Sequence, residues 1–165
     1  MTTPFIVSGV FKGVLAPAVA SLAGPTRAEI AAGTIFASAG NTMGTGLVSI
    51  AGLETQPQDI AGPDVNSRVD KMYKGRKTLP TATIQFKDTA DGSGALKAAF
   101  AEDVAGFVIL MHYGDVAARN CEVWPGRVTD VNRSQVTSAN ELAMWTVSWV
   151  CTEEPEKDAV IPALS

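Results

Sequence analysis

The sequence is poor in the groups on which catalysis and metal binding depend. It has one histidine and two cysteines among 165 residues. His112 stands at the end of an apolar stretch, a position more typical of a structural histidine than of a catalytic base. Cys121 and Cys151 have no second pair to complete a zinc site, so we expect free, buried thiols unless the strand register places them opposite each other. No serine stands in a nucleophile-elbow sequence, and the sequence predicts neither an enzyme nor a cofactor.

Charge is scarce as well. Charged residues make up 18% of the chain and hydrophobic residues 46%, and the net charge is −4. This low charge density suggests that surface is buried against copies of the chain or against a partner, although a β protein rich in small residues has the same composition. The negative balance argues against a protein that coats DNA.

The sequence also lacks a long apolar run. Residues 30–53 carry no charge, but their Gly, Thr, Ser and Asn make them too polar for a membrane helix. The N-terminus lacks the basic region of a signal peptide. We therefore expect a soluble protein without classical export.

What is present is a strand pattern, and it is strongest between residues 120 and 152. Two arms of a ribbon, 121–128 and 144–152, alternate with the period of two that sends side chains to opposite faces of a strand. All three tryptophans lie in this ribbon, which predicts a core sheet. A register that pairs Cys121 with Cys151 and Val128 with Met144 turns Glu122 to the polar side. In the second arm one face carries Trp145, Val147, Trp149 and Cys151, and the other carries Thr146 and Ser148.

Further strands are predicted at 11–16, 34–38, 47–53, 79–87 and 107–113. Thr26-Arg-Ala-Glu29 has the spacing of a capping box and predicts a short helix that ends at Gly33. An apolar stripe predicts a second helix that stops at Gly106; its members are Leu96, Ala99, Phe100 and Val104. Together these signals predict one domain over residues 1–165. Its fold class is mainly β, like a sandwich or barrel, with one flanking α-helix and a long extended arm.

The arm is the segment 54–80, in which neither a helical nor a strand period persists. Connections of this length are unusual in compact domains and tend to be functional or disordered. A phosphate-binding patch, a solvated loop and an arm that contacts a neighbouring subunit all fit its composition, the last of them best. The final segment, 153–165, contains proline and is expected to be a tail that is free to be flexible. The basic residues of the arm are Arg68, Lys71, Lys74, Arg76 and Lys77.

The order of these pieces resembles one family. A stretch from Pro25 to Thr34 precedes a strand, and the polar arm, with Asp64 to Arg68 and a turn at Gly75 to Thr78, follows later. The strand Thr81 to Asp88, a helix, the run from Gly106 to Leu110 and the ribbon from Val123 to Thr129 complete the pattern. From about residue 10 to residue 155, the chain is similar to the major tail protein, or tail tube protein, of long-tailed bacteriophages. The resemblance implies β-sandwich subunits that join into six-membered rings, whose inner strands form a continuous β-barrel, and rings that stack into the tail tube.

The resemblance also implies partners and surfaces. The partners are further copies of the chain, a tape-measure protein, a tail terminator and distal tail proteins. DNA passes through the lumen without specific binding, no membrane is involved, and the virion tail is assembled in the cytoplasm of the bacterial host. Glu122 becomes a candidate for the lumen, where an acidic surface would repel phosphate. The candidates for contacts between rings or subunits are Arg68, Lys71, Lys74, Arg76 and Lys77.

Two alternatives have the same β-rich, low-charge composition. One is another phage structural protein, such as a capsid decoration or head-to-tail completion protein, which forms a trimer or a single ring and never a filament. The other is a β-sandwich that binds a small molecule or a glycan without assembling. That alternative needs a pocket of converging polar and aromatic groups.

Overall fold

The structure is a computed structural model that describes residues 11–38, 46–62, 71–88, 94–133 and 143–163. Strands dominate these residues, which confirms the predicted β class. In chain order the elements are β1 (Lys12–Ala16), α1 (Arg27–Ala32), β2 (Thr34–Ser38), β3 (Leu47–Ala51), β4 (Gln56–Gly62), β5 (Lys71–Thr78), β6 (Thr81–Lys87), α2 (Gly94–Ala99), β7 (Ala105–Met111), β8 (Asn120–Arg133), β9 (Met144–Cys151) and β10 (Glu156–Val160).

An eight-stranded antiparallel sheet contains all of these strands except β4 and β5. Its order is β2-β1-β7-β8-β9-β6-β3, with β10 beside β8. β8 is 14 residues long and belongs to two parts of the sheet. Its N-terminal part pairs with β7 and β10, and its residues from Gly126 onward pair with β9. We call β2-β1-β7-β8-β10 the five-stranded half and β8-β9-β6-β3 the four-stranded half. Pro125, which has no N–H to donate, lies where β8 passes from one half to the other.

The two halves pack face to face around the main core. Phe36 of β2 lies edge-on to Phe86 of β6, with ring centroids 6.3 Å apart. Phe86 in turn stacks on Trp145 of β9 at 4.4 Å, and Phe100, which follows α2, contacts all three rings. All three tryptophans are fully buried. Each large ring taken out of water contributes about 1.5–3 kcal/mol, so this aromatic cluster contributes strongly to stability. It lies in the core sheet that the alternation in the sequence predicts.

A second core lies on the outer face of the five-stranded half. Side chains of β1, β7, β8 and β10 meet Ile30 of α1 there, together with Ile161. The predicted capping box starts α1: the Thr26 hydroxyl accepts from the Glu29 N–H at 3.2 Å, and the Glu29 carboxylate accepts from the Thr26 N–H at 2.7 Å. The five-stranded half is therefore covered on both faces, and the four-stranded half has a core on one face only.

The predicted register of β8 and β9 is wrong. Trp149 pairs with Val128 rather than with Val123. Because β8 is apolar on both faces, Val123 points into the second core and Val128 into the main core. The two cysteines lie in different cores for the same reason, and both are free thiols.

The second helix is shorter than predicted. α2 ends at Ala99, and Asp103 has a φ of 63°, which a helix cannot accommodate. Gly106 lies in β7 and not at the end of a helix. A Cβ on Gly106 would lie 2.9 Å from the carbonyl oxygen of Ala16, so glycine is required there by the close approach of β1 and β7. Within the described ranges, neither helix reaches the length and apolarity of a membrane span.

Two segments predicted to be irregular contain strands. The arm holds β4 and β5, which pair as an antiparallel hairpin in a sheet of their own. In the tail, β10 pairs with β8, and Ala159 and Ile161 are fully buried. None of the hairpin side chains that the structure describes belongs to either core, which agrees with its lack of apolar alternation. The apolar positions of the tail are too few to form a recognisable period.

Candidate functional site

The β4–β5 hairpin is an exposed element with its own ladder of backbone hydrogen bonds. Gln56 pairs with Thr78 at its root. A Cβ on Gly75 would lie 2.9 Å from the Ile60 side chain and still closer to the Gln58 carbonyl oxygen, so the strands approach too closely for a side chain there. Ile60 is 59% exposed. An exposed hairpin of this kind offers both backbone and side-chain groups to a neighbour.

The structure places most of the predicted basic residues on this hairpin. Arg68 lies outside the described residues, and the other four lie in β5. The side chains of Arg76 and Lys77 are exposed. Lys77 forms an ion pair with Glu154 in the turn between β9 and β10, and its hydrogen bond and charge lower the pKa of that carboxyl. That the basic set contacts a neighbouring subunit stays a prediction. The four residues in β5 are Lys71, Lys74, Arg76 and Lys77.

Residues that the sequence patterns did not single out hold the root of the hairpin. The Lys157 ammonium donates to the Thr55 hydroxyl at 3.2 Å and lies 5.4 Å from the centroid of the Trp124 ring. With the pair of Lys77 and Glu154, these contacts border an open cleft of about 480 Å³ between the hairpin and the β9–β10 turn. The sequence does contain a signal for a contact here, because the acidic run at the start of the tail is opposite in charge to the basic arm.

Glu122 lies on the side of β8 that turns toward the main core, at the margin of that core. It pairs across the ladder with Leu110. Its carboxylate accepts from the Trp124 indole N–H at 2.9 Å, and its other oxygen lies 3.3 Å from His112 Nε2. These groups border a groove of about 630 Å³ beside β3, where the ring of Phe11 lies 5.7 Å from that of His112. Glu122 therefore holds two side chains in position, and its assignment to a lumen stays a prediction.

In the described part of the large sheet, β2 and β3 each have an open hydrogen-bonding edge, and the outer edge of β10 is partly covered by a bond from the Val160 N–H to the Ala23 carbonyl. β2 pairs only with β1, and β3 pairs only with β6. Each carries an exposed apolar side chain, Ile35 on β2 and Val48 on β3. Open edges with apolar side chains are surfaces to which another chain can add a strand.

Open edges and an exposed hairpin suit a protein that assembles with other chains. A family model described as phage tail tube protein matches residues 1–164. The chain belongs to this family. The resemblance seen in the sequence is confirmed, and the tail tube protein is a structural component of phage-like particles and not an enzyme.

Solved structures share the fold of the tail tube protein. One is a chain of an extracellular contractile injection system, the PVC sheath–tube complex in the extended state, with a TM-score of 0.62 and 11% identity over 95% of this chain and 93% of that chain. Another is from the PVC sheath/tube terminator in the extended state, with a TM-score of 0.59 and 11% identity over 96% and 99% of the two chains. A third is from the cap that terminates the tube of the anti-feeding prophage, with a TM-score of 0.58 and 11% identity over 95% and 93%. No curated protein sequence matches.

Proposed function

We propose that copies of this tail tube protein join into six-membered rings, and that the rings stack into the conduit through which the phage genome enters the host. The family match over residues 1–164 carries the proposal. The likeness to a chain of a sheath–tube complex supports it, since that fold covers 95% of the chain. The partners are then a tape-measure protein, a tail terminator and distal tail proteins. Assembly takes place in the host cytoplasm, and DNA passes through without specific binding.

Ring formation uses the open edges of the sheet. A head-to-tail contact repeated around a closed ring leaves no subunit with a free edge. The exposed side chains of Ile35 and Val48 lie on β2 and β3, and covering a side chain of this size contributes up to about 1.5–3 kcal/mol. The low charge content of 18% fits a subunit with several buried interfaces.

Stacking of the rings uses the arm. Its basic residues meet carboxylates of the next ring. Exposed ion pairs contribute only about 0–1 kcal/mol each and are screened by salt. The strength of the contact therefore comes from its repetition by every subunit of a ring. The residues are Arg68, Lys71, Lys74, Arg76 and Lys77.

Electron microscopy of the purified protein, together with its sedimentation, tests the proposal. Hollow filaments of uniform width are the expected result, with the tail initiation complex added as a template where subunits stay monomeric. A ring that never stacks would assign the chain to a terminator role, as in two of the similar structures. A closed trimer would refute the tube.

A charge reversal on the arm tests the stacking contact. Arg76→Glu is expected to yield rings with few filaments, because the reversed charge meets carboxylates of the next ring. Arg119→Glu makes the same charge change in the loop before β8 and is the matched control. High salt should reproduce the Arg76→Glu result with the unaltered protein. Normal filaments from Arg76→Glu would remove this residue from the contact.

A further inference from the structure

The outward face of the four-stranded half consists mainly of hydroxyl and amide side chains. Thr83 of β6 lies opposite Ser148 of β9, and Gln85 lies opposite Thr146. Ser49 of β3 extends the second row, and its hydroxyl donates to Gln85 Oε1 at 3.1 Å. We call this surface the hydroxyl face. Its members are Ser49, Ala51, Thr81, Thr83, Gln85, Asp130, Asn132, Thr146, Ser148 and Val150.

The centre of the hydroxyl face carries no charge. On the two central strands, β6 and β9, three of the four outward cross-strand pairs consist of Thr, Gln, Ser or Val, and the fourth, at the end, pairs Lys87 with Met144. Charge occurs only toward the borders, as Asp130 and Arg127 on β8 and Lys87 at the end of β6. The centre of the hydroxyl face is therefore polar without being charged.

No described element packs on the hydroxyl face. α1 packs against β1, and α2 packs against β2. The outer face of the five-stranded half, by contrast, is closed by α1 and the second core. In a ring of such subunits, the covered outer face and the bare hydroxyl face point in opposite directions. A ring whose subunits present these two faces radially has one of them at its axis.

We propose that the hydroxyl face lines the lumen of the tube and is the surface along which the DNA phosphates slide; this inference rests on the proposed function. It assigns the lumen to an uncharged face and not to Glu122, whose carboxylate turns toward the main core with Trp124. The expected partner is a sequence-independent polyanion. The lumen is polar enough to stay wet and has no central charge with which to hold or repel that polyanion.

The chemistry of the face suits rapid passage. Lys and Arg side chains bind phosphates with release of counterions, and every contact adds to the affinity. Carboxylates at the same positions would repel the DNA along the whole tube. Hydroxyl and amide groups instead trade hydrogen bonds with water for hydrogen bonds with phosphate, so each exchange leaves only a small net gain. DNA therefore meets many weak, interchangeable contacts.

Thiol labelling of assembled tubes tests which face points inward. Ser148→Cys places a thiol at the centre of the hydroxyl face, and Thr83→Cys is a second variant on the neighbouring strand. Ala31→Cys places one on the exposed side of α1 as the matched control. The native thiols add little background, because Cys121 and Cys151 are 1% and 3% exposed and burial raises the pKa of each to about 11.

In intact tubes, the thiol at position 148 should react with a small maleimide and be protected from a maleimide on a polymer too bulky to enter the bore. The thiol at position 31 should react with both reagents. Reaction of position 148 with the bulky reagent in intact tubes would refute the inference, and so would failure to react with the small one. Absence of tubes from the unaltered protein, even with the tail initiation complex added, would refute the proposed function instead.

A second measurement tests whether the genome contacts the hydroxyl face. Phage particles that carry Thr83→Lys should eject DNA several-fold more slowly at low salt and recover at high salt, because the added cations bind phosphate. Thr83→Gln adds bulk without charge and should eject at the normal rate. Ejection that Thr83→Lys leaves unchanged would show that this face does not contact the genome.

Discussion

Trp124 and Trp145 differ in whether the indole N–H has a hydrogen-bond partner. A matched pair of substitutions can measure the effect of that difference on stability. Both rings are fully buried. The indole N–H of Trp124 donates to the Glu122 carboxylate at 2.9 Å, whereas the indole nitrogen of Trp145 is buried without a hydrogen-bond partner. Replacing either residue by phenylalanine shrinks the ring by the same amount, so the N–H is the main difference between the variants.

The magnitude follows from these two environments. A hydrogen bond to a charged group contributes about 1.5–3 kcal/mol, and a buried, unpaired donor costs about 1–3 kcal/mol. Trp124→Phe loses the bond, and Trp145→Phe removes the unpaired donor. Both variants also lose ring contacts, to the Lys157 ammonium at Trp124 and to the stacked Phe86 ring at Trp145. We expect Trp124→Phe to be less stable than Trp145→Phe by about 2.5–6 kcal/mol.

Guanidinium unfolding of the unassembled subunit, followed by circular dichroism at low protein concentration, gives the two free energies of unfolding. Circular dichroism is preferred because both variants lose a tryptophan fluorophore. Equal slopes against denaturant show that the unfolded states are comparable. Equal free energies for the two variants would refute the reasoning, since the N–H of Trp124 would then contribute no more than that of Trp145.

Three further predictions concern single sites. Hydrogen bonds from the backbone of Thr26 and Ala20 hold the pKa of Glu29 below its ordinary value of 4.5. The stability that these bonds provide is present above that pH and is lost as the pH falls below it. Acid unfolding of Glu29→Gln should therefore lack this pH-dependent loss of stability. Gly126→Ala places a Cβ 2.6 Å from an indole nitrogen and should destabilise the subunit by about 1–3 kcal/mol, measured by thermal unfolding, while a normal melting temperature would contradict the packing. Both native cysteines should resist a thiol reagent at neutral pH until the chain unfolds, and rapid reaction of the folded subunit would show that the cores open.

The parts of the fold that the sequence predicts are those with strong local signals. The capping box that starts α1 depends on residues three positions apart, so it can be read without knowledge of the rest of the chain. The alternation that buries Trp145, Val147 and Trp149 is equally local, and it holds throughout β9. The order of these signals along the chain was sufficient to identify the family.

The register of β8 could not be predicted because that strand is apolar on both faces. A register is normally fixed by a single buried face, since a shift by an odd number of residues moves the apolar side chains into water. In β8, a shift by an odd number of residues exchanges the cores that Val128 and Val123 face. Both residues are buried in either register. The local pattern therefore favours neither register.

The hairpin and the hydroxyl face were missed for a related reason. A hairpin that packs on neither core has no need of an apolar period, so its strands look like a polar loop. The polar positions of β6 and β9 look like an ordinary solvent face until the register joins them to those of β3 and β8. Glu122, the residue that drew attention in the sequence, is held instead by Trp124 and His112.

The central position of β8 determines how the whole subunit responds to force. Its backbone bonds to β7, β9 and β10, so it is the one strand that both halves of the sheet share. Neither half can peel away without breaking the ladder of the other, and the amide hydrogens of β8 should be the last to exchange with deuterated water. In the proposed tube, force applied to one layer of a subunit therefore reaches the other through covalent chain. The wall of that tube should yield at the joints between subunits before it yields within them.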